Sequence, residues 1–517
     1  MRRQTRVLML LAIGVCLVLT ACGSRRPMSD FLGAGTGAQG TGLGPAGTNG
    51  SAAPGAPGSV DSGGSTASGG GSVTGPGGGT TAGGATGAAG GGSGGGSTGG
   101  SGVTNGKPNT ASDVGVTATT IDLGNIVTKT GSFGPNQFTS FYYGAAAYFD
   151  YINSQGGING RRVVFHTCDD GGSASGDNKC AHSLAGDGTN GVFAFVANDC
   201  LVCDGLKYVS QKAIPSVGGL AIDFSDYANA HSWRYSGQMY PQNGQIGYKG
   251  NLYEGTQMFR YFKEKFGVTK AAVVYYDSSE QSKEAGQSFI RALKREGITT
   301  YEYGENVALP QWDSDVIDMK NKGVQAVFDS IDISGNQNLC KAIDSNHFVP
   351  KAKVSTVSTW SQEVGSTFTY PCRSYIYSSD IPGTLGYDQT DNPEIAKFRA
   401  AMKRYFPSRE GEMYEWNVDG WASAMWFTDA ATSCGADLTR KCLEAYLNRP
   451  KPYSAHGIWY PRNNVKYNFE TKKTLHQCIT ISHWVEAKKS FVTVGDYHNT
   501  CYTTPYIPYK APSASSS

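Results

Sequence analysis

A glycine-rich tract of 80 residues near the N-terminus cannot fold, and it precedes the part of this chain that can. Residues 31–110 contain 32 glycines, two charged side chains (Asp61 and Lys107) and one aromatic side chain, Phe31. Such a composition buries too little apolar surface to offset the conformational entropy that folding removes. The sequence therefore predicts a disordered Gly/Ser-rich tether over residues 22–112, which leaves about 400 of the 517 residues for two globular domains.

The N-terminus has the pattern of a secretion signal. Three arginines among the first six residues precede an unbroken apolar run over residues 7–19, which is too short to span a bilayer as a helix. The run ends in Leu-Thr-Ala-Cys, which resembles the lipobox of bacterial lipoproteins; an ordinary signal with a chance cysteine is the alternative. The resemblance implies that residues 1–21 are removed and that Cys22 carries a diacylglyceryl group and palmitate. Two or more acyl chains give stable anchoring, so we expect the protein on the extracytoplasmic face of the cell membrane.

The charge balance argues against a nucleic-acid partner. The chain has 44 Lys and Arg against 42 Asp and Glu, and without the three arginines of the leader the first count falls to 41. No basic excess is left to neutralise phosphates.

The cysteines agree with an exported protein. Apart from Cys16 and Cys22, an even number remains, which favours disulfides outside the cytoplasm. Cys200 and Cys203 form a C-x-x-C pair that also fits a redox pair or half of a zinc site, but a second such pair is missing, so we expect a structural disulfide role. The ten cysteines are Cys168, Cys180, Cys200, Cys203, Cys340, Cys372, Cys434, Cys442, Cys478 and Cys501. Cys434 with Cys442 and Cys478 with Cys501 are natural local pairs, and the other pairings stay open.

Hydrophobic periodicity predicts alternating strands and helices from residue 119 onward. The first unit has predicted strands at 120–127, 162–167, 191–196 and 214–217 and helices at 137–155, 178–185 and 204–212. The pattern restarts with a helix at 245–266 and strands at 271–276, 299–303, 326–329 and 353–356, with helices at 313–322 and 337–345 among them. Helices at 394–405, 416–432 and 438–447 and a strand-rich tail follow. The order predicts an α/β protein with two tandem, doubly wound parallel sheets.

Several segments of the first unit carry a family resemblance. Residues 128–134 (TKTGSFG), residues 156–160 (GGING) and the pair Asp169-Asp170 resemble the first βα unit of periplasmic binding proteins of the branched-chain amino-acid type. The similarity continues through residues 211–215 and the second unit, and covers about residues 113–480. It implies a periplasmic binding protein type I fold. One lobe would comprise 113–243 plus about 377–455, and the other 244–376 plus about 456–510.

The same resemblance implies a function. Such proteins capture a small molecule between two hinged lobes and deliver it to the permease of an ABC transporter. We therefore expect a monomeric, non-enzymatic solute-binding protein without a cofactor. Open α/β sheets also bind ligands beyond the carboxyl ends of their strands, so the loops at those ends are the candidate site.

Candidate ligand-binding residues lie in these loops. In the first lobe they are Thr128, Thr130, Phe133, Asn198, Asp199, Leu220 and Ala221. In the second lobe they are Gln281, Asp332, Val357 and Ser358. Thr128 and Thr130 offer hydroxyls, and Phe133 offers an aromatic lid. By resemblance, Asn198 and Asp199 stand where the family has a hydroxyl for the ligand carboxylate, and Leu220 and Ala221 where it uses backbone groups. Gln281 and Asp332 stand in the places of cleft aromatics, and Val357 or Ser358 in the place of an acid that pairs with the ligand ammonium.

Two departures argue against a branched-chain amino acid as the ligand. An acid, Asp199, stands where the family has a carboxylate-binding hydroxyl, and the ammonium position has no acid. Asp332 is the nearest substitute, which points to a small polar or amino-acid-like ligand with a cationic group.

Other classes of protein fit less well. The sequence has no G-x-S-x-G, H-E-x-x-H or G-x-x-x-x-G-K-[ST] motif, and its eight histidines never pair at helical metal-binding spacing. We therefore expect neither an enzyme nor a metal site. A structural or adhesive lipoprotein would not need two α/β lobes. A ligand-sensing lipoprotein that acts through a separate signalling partner stays open as the alternative.

Overall fold

The structure is a computed structural model. It describes residues 103–104, 107–131, 135–186, 190–200, 203–220, 229–234, 251–380, 383–461, 474–495, 500–505 and 507–510. The expected signal segment, the expected lipidation site Cys22 and most of the expected tether lie outside the described residues, as do Phe133 and Ala221.

A first sheet has five parallel strands, of which four form where the sequence predicts strands and the fifth, Ser232–Trp233, was not predicted. In spatial order its strands are Arg162–Asp169, Thr120–Val127, Ala194–Val196, Ser216–Val217 and Ser232–Trp233. Helices Pro135–Ser154, Ala174–Ala185 and Gly205–Gln211 connect them. The long helix ends before Gly156 and Gly157, whose φ angles of 102° and 77° are accessible to glycine.

A second sheet has seven strands. Its order is Thr299–Glu305, Lys270–Tyr276, Ala326–Ser330, Ala352–Thr356, Ile376–Asp380, Thr480–Val485 and Ser490–Thr493. The first five are parallel and the last two antiparallel. Helices Glu280–Arg295, Trp312–Lys322 and Ile333–Ser345 alternate with its parallel strands. Both sheets carry apolar side chains on two faces, as parallel sheets covered by helices require.

After the strand Ile376–Asp380 the chain returns to the first sheet. Helices Pro393–Tyr405, Glu415–Cys434 and Arg440–Leu447 follow, and Trp421 of the second packs edge-to-face on Tyr148 with ring centroids 4.8 Å apart. The strand Ile376–Asp380, where the sequence predicts a lobe boundary near residue 377, pairs within the second sheet. The lobe division stays a prediction.

Shorter elements complete the described chain. The remaining strands are Val103–Thr104, Lys107–Pro108, Asn251–Glu254, Thr474–Cys478, Cys501–Pro505 and Ile507–Lys510, and the short α-helices are Val364–Thr367 and Tyr370–Arg373. Short 3₁₀ helices cover Val357–Thr359, Pro407–Glu412, Ala455–Gly457 and Glu486–Lys488. Within this described part, every helix is too short or too polar to cross a membrane.

The prediction of one helix over 245–266 is wrong. Residues Asn251–Glu254 form a strand that pairs antiparallel with Ile507–Lys510, and the helix covers only Gln257–Phe266. Residues 245–250 lie outside the described chain. The strand partner is about 250 residues away in sequence, so local periodicity could not reveal it.

All ten cysteines of the globular part are paired. The two expected local pairs, Cys434–Cys442 and Cys478–Cys501, are confirmed. Cys200 and Cys203 are bonded to each other, as the structural interpretation predicts. The pairings that the sequence left open are Cys168–Cys180 and Cys340–Cys372.

Candidate functional site

The carboxyl edge of the first sheet brings together the described candidates of the first lobe. Thr128 follows the strand Thr120–Val127 directly, and its backbone N–H donates to the Asp199 carbonyl at 3.4 Å. Leu220 donates its N–H to the Asn198 carbonyl at 3.1 Å. Parallel strands end at one edge, so these loops meet as the sequence predicts.

The two threonine hydroxyls have partners within the protein. The hydroxyl of Thr128 donates to the Asp170 carboxylate at 3.1 Å, and that of Thr130 to the Asp169 carboxylate at 2.8 Å. The Thr130 hydroxyl retains lone pairs that can accept from a ligand donor. The donated hydrogens of both hydroxyls are occupied, which weakens the expectation that they bind a carboxylate.

The Asn198 side chain links neighbouring strands of the first sheet. Its buried side-chain oxygen accepts from the Ile126 N–H at 2.9 Å, and its side-chain nitrogen donates to the Ser216 hydroxyl at 3.1 Å. These bonds join three neighbouring strands at their ends. The Asn198 side chain therefore positions the edge, and its role as a ligand contact stays a prediction.

Asp199 differs from its neighbour. Its side chain is fully buried, and neither carboxylate oxygen has a hydrogen-bond partner among the described residues. Burial, followed by the negative charges of Asp170 and Asp419, raises the pKa of this carboxyl well above its ordinary value. Asp419 comes from the helix Glu415–Cys434 and accepts hydrogen bonds from Thr384 and Trp459 at 2.8 and 3.0 Å. The sequence did not indicate Asp419 as a neighbour of this edge, because it lies 220 residues further along the chain.

The second sheet presents its own carboxyl edge. Gln281 lies in the first turn of the helix after Lys270–Tyr276 and is half-buried, and Val357 follows Ala352–Thr356 as a buried core side chain. The backbone of Ser358 continues the same 3₁₀ turn, and its side chain lies outside the described part.

Asp332 has a structural task at this edge. It is the N-cap of the helix Ile333–Ser345: one carboxylate oxygen accepts from the Gly335 N–H at 3.0 Å and the other from the Ser334 N–H at 3.3 Å. The Tyr276 hydroxyl donates, at 2.7 Å, to the same Asp332 oxygen that accepts from Gly335. An Asp directly before a helical run is typical of an N-cap. The sequence analysis did not predict this capping role for Asp332. The oxygen that receives only the 3.3 Å bond can still accept from a ligand.

Further side chains at the second edge were missed by sequence reasoning. The Trp312 indole packs edge-to-face on Tyr276 with centroids 6.5 Å apart. Glu305 ends the neighbouring strand, and burial together with its hydrogen bond to Asp315 raises its pKa to about 7. Aromatic and acidic residues near strand ends are a signal that the sequence contained.

A contact joins the two edges. Asn136, at the start of the helix after Thr120–Val127, donates from its side-chain amide to Glu363, which follows the strand Ala352–Thr356 of the second sheet. The Tyr414 hydroxyl donates to the same carboxylate at 2.5 Å. Both carboxyl edges therefore adjoin one region. Glu363 is an acid on the segment after the position where the resemblance expects one, and it was also missed.

One group of side chains has the composition of a metal site. Among the described residues, His476, Cys478 and Cys501 bring their ligand atoms within 4.8 Å of one another. The two sulfurs are joined in a disulfide, so they offer no thiolate to a metal.

Comparison with known proteins identifies the family to which the chain belongs. The family model described as periplasmic binding protein matches residues 120–489. The chain belongs to the periplasmic binding protein family. No curated protein matches its sequence.

Solved periplasmic binding proteins share its fold. A fatty acid ABC transporter substrate-binding protein from Thermomonospora curvata is 16% identical, with a TM-score of 0.59 over 78% of this chain and 98% of that one. The branched-chain amino acid transporter substrate binding protein of Streptococcus pneumoniae, solved with isoleucine, is 13% identical, with a TM-score of 0.56 over 73% and 99%. A substrate-binding protein of an ABC transporter from Aeropyrum pernix is 14% identical, with a TM-score of 0.56 over 76% and 97%. The type I fold expected for this periplasmic binding protein is confirmed.

Proposed function

We propose that this periplasmic binding protein is a lipid-anchored solute-binding protein that captures a small polar or amino-acid-like ligand between its two sheets. It then delivers the ligand to the permease of an ABC transporter. One observation carries the proposal: the carboxyl ends of the parallel strands of both sheets adjoin the same region, joined through Asn136 and Glu363. Such edges are where open α/β sheets bind ligands.

We propose two lobes on the basis of this arrangement. The first comprises residues 113–243 with the helices between Pro393 and Leu447, and the second comprises 244–380 with the strands from Thr474 onward. Closure of the lobes would be a hinge motion, and a ligand shifts that equilibrium only by its preference for the closed state.

The proposed anchor and tether set where capture takes place. Acyl chains on Cys22 hold the chain to the membrane, and a Gly/Ser-rich coil of close to 90 residues has a root-mean-square reach of roughly 50 Å. The binding domain therefore samples a wide volume while staying close to its permease.

A ligand screen tests the capture step. The full-length chain in detergent is heated with amino acids, amides, polyamines and small aromatic acids, and a ligand at 100 times its dissociation constant should add roughly 2.7 kcal/mol of stability. Asp332→Asn keeps the helix cap, because Asn caps as well as Asp, yet it removes the charge. We expect it to weaken binding of a cationic hit at least about tenfold, and Phe133→Ala to weaken it less. Asp391→Asn, at an exposed site, is the matched control.

Two results would contradict the proposal. If both Asp332→Asn and Phe133→Ala bind the hit as tightly as the parent, the ligand lies elsewhere. If cells that lack the protein take up the hit at the parental rate, delivery to a permease is wrong even though binding stands.

A further inference from the structure

The carboxylate of Asp199 is the least compensated charged group at the first edge. It is fully buried, and both of its oxygens lack a donor among the described residues. Its backbone is firmly held, because its N–H donates to the Ile126 carbonyl at 3.2 Å and its carbonyl accepts from Thr128. The Asp199 backbone therefore cannot leave this edge without breaking the strand pairing.

The surroundings of Asp199 add negative charge. The groups that act on it electrostatically are Asp170, from the loop after Arg162–Asp169, and Asp419, from the helix Glu415–Cys434. Both are buried acids. A carboxylate in such a place is destabilising unless something else neutralises it.

The two neighbouring acids already have partners. Asp170 accepts from the Gly172 N–H at 2.7 Å and from the Thr128 hydroxyl. Asp419 accepts from Thr384 and Trp459. Asp199 is thus the one acid of the three whose oxygens both still need donors among the described residues.

We propose that Asp199 binds a positively charged nitrogen of the ligand, an ammonium or a guanidinium group, at the carboxyl edge of the first sheet. The inference rests on the proposed function, which supplies a ligand at this edge and the hinge motion that admits it. It reverses the polarity expected there from the resemblance, which places the ligand carboxylate at this position. Burial favours the interaction, because a charge-assisted hydrogen bond is strongest out of water.

The donor chemistry favours an organic cation over a metal ion. Ca²⁺ needs six to eight oxygen ligands, and Asp199 offers the only fully unoccupied carboxylate among the three acids in the described part. An ammonium or guanidinium group brings N–H donors, which are what the two Asp199 oxygens lack.

Charge-matched probes test the inference. Calorimetric titrations of the full-length chain use n-butylammonium and agmatine as cations, 1-butanol as the neutral match and butyrate as the anion. We expect the cations alone to bind, and Asp199→Asn to weaken them about 10- to 100-fold. Asp122→Asn is the control, because it removes one negative charge from the same sheet. Asp122 lies in the neighbouring strand Thr120–Val127, roughly 16 Å from the end of the strand that adjoins Asp199. Asp419→Asn, which keeps an acceptor for Trp459, is a second variant in case Asp199→Asn does not fold, and should weaken the cations severalfold.

The outcomes separate the inference from the proposed function. Cations that bind Asp199→Asn and Asp419→Asn as tightly as the parent overturn the inference and leave a binding protein whose site is elsewhere. Binding of butyrate or butanol alone overturns it as well, as does stabilisation by CaCl₂ that is lost in Asp199→Asn. Failure of every probe also overturns it, while mass spectrometry of ligand that copurifies with the chain still decides the proposed function.

Discussion

A buried carboxylate without a hydrogen-bond donor destabilises a fold, and the contrast with a second buried acid shows how unusual Asp199 is. In the second sheet, Lys353 and Asp329 are both fully buried, with 2.9 Å between the ammonium nitrogen and a carboxylate oxygen. Lys353 also donates to Ser355 at 2.9 Å and to Asn336. That charge pair is neutralised inside the protein, whereas the described neighbours of Asp199 leave it uncompensated.

The pH dependence of stability should reveal this carboxyl. Burial and then the charges of Asp170 and Asp419 raise its pKa above the ordinary 3.8. The folded chain therefore holds the proton more tightly than the unfolded chain, and the resulting stability is present below that ordinary value and lost as pH rises through the raised pKa. Asp199→Asn cannot titrate, so its stability relative to the parent should grow as the pH rises above 3.8, to a gain of about 1–3 kcal/mol once the parent carboxyl is ionised.

Urea unfolding at several pH values measures this gain. Asp391→Asn, which removes one negative charge from an exposed site, is the control for a general charge effect. A difference between Asp199→Asn and the parent that stays constant with pH would show that the carboxyl does not titrate in this range.

At the scale of elements, the contact between two long helices organises the first lobe. Helices Pro135–Ser154 and Glu415–Cys434 approach so closely that a Cβ on Gly144 would lie 1.9 Å from the Asn417 carbonyl oxygen. A Cβ on Gly420 would in turn lie 2.1 Å from the Phe141 carbonyl oxygen. Both clashes are with backbone, which cannot rotate away as a side chain can.

Gly144→Ala should therefore destabilise the protein. Alanine has the higher helix propensity, by about 1 kcal/mol, but separating the two helices should cost more, and we expect a net loss of about 2–3 kcal/mol in the free energy of unfolding. Gly411→Ala is the control, since nothing lies within 4 Å of its added Cβ. Equal stability of Gly144→Ala and the parent in thermal and urea unfolding would mean that the helices can move apart freely.

At the scale of the whole molecule, the first prediction concerns the proposed lipid on Cys22. Cys22→Ser removes the thiol that the acyl group needs, so the chain should stay uncleaved at this site or be released from the membrane. Fractionation of cells and mass spectrometry of the N-terminus measure both effects. A serine variant that is cut before residue 22 and is equally membrane-bound would exclude lipidation.

The second prediction at this scale concerns the expected tether. Deletion of residues 35–100 removes a tract with a single charged side chain, Asp61, and no aromatic one, so no core should be lost. The melting temperature and the affinity for any ligand should stay unchanged, as measured by calorimetry on the deleted and full-length chains. A cooperative loss of stability would mean that the tract packs on the binding domain.

The sequence by itself determined the alternation of strands and helices and the two local disulfides, because these depend on periodicity and on residues close in the chain, and its resemblance to periplasmic binding proteins implied the type I fold. It also placed Thr128, Asn198, Asp199 and Leu220 at one edge, since parallel strands must end together.

Only the tertiary structure decided the features that join distant residues. These are the pairing of Asn251–Glu254 with Ile507–Lys510, the contact of Glu363 with Asn136, and the approach of Asp419 to Asp199. The capping bonds of Asp332 are local and could have been foreseen, but its bond from Tyr276 could not. Hydrophobic periodicity specifies which face of an element is buried, and it carries no information about which distant side chain lies against that face.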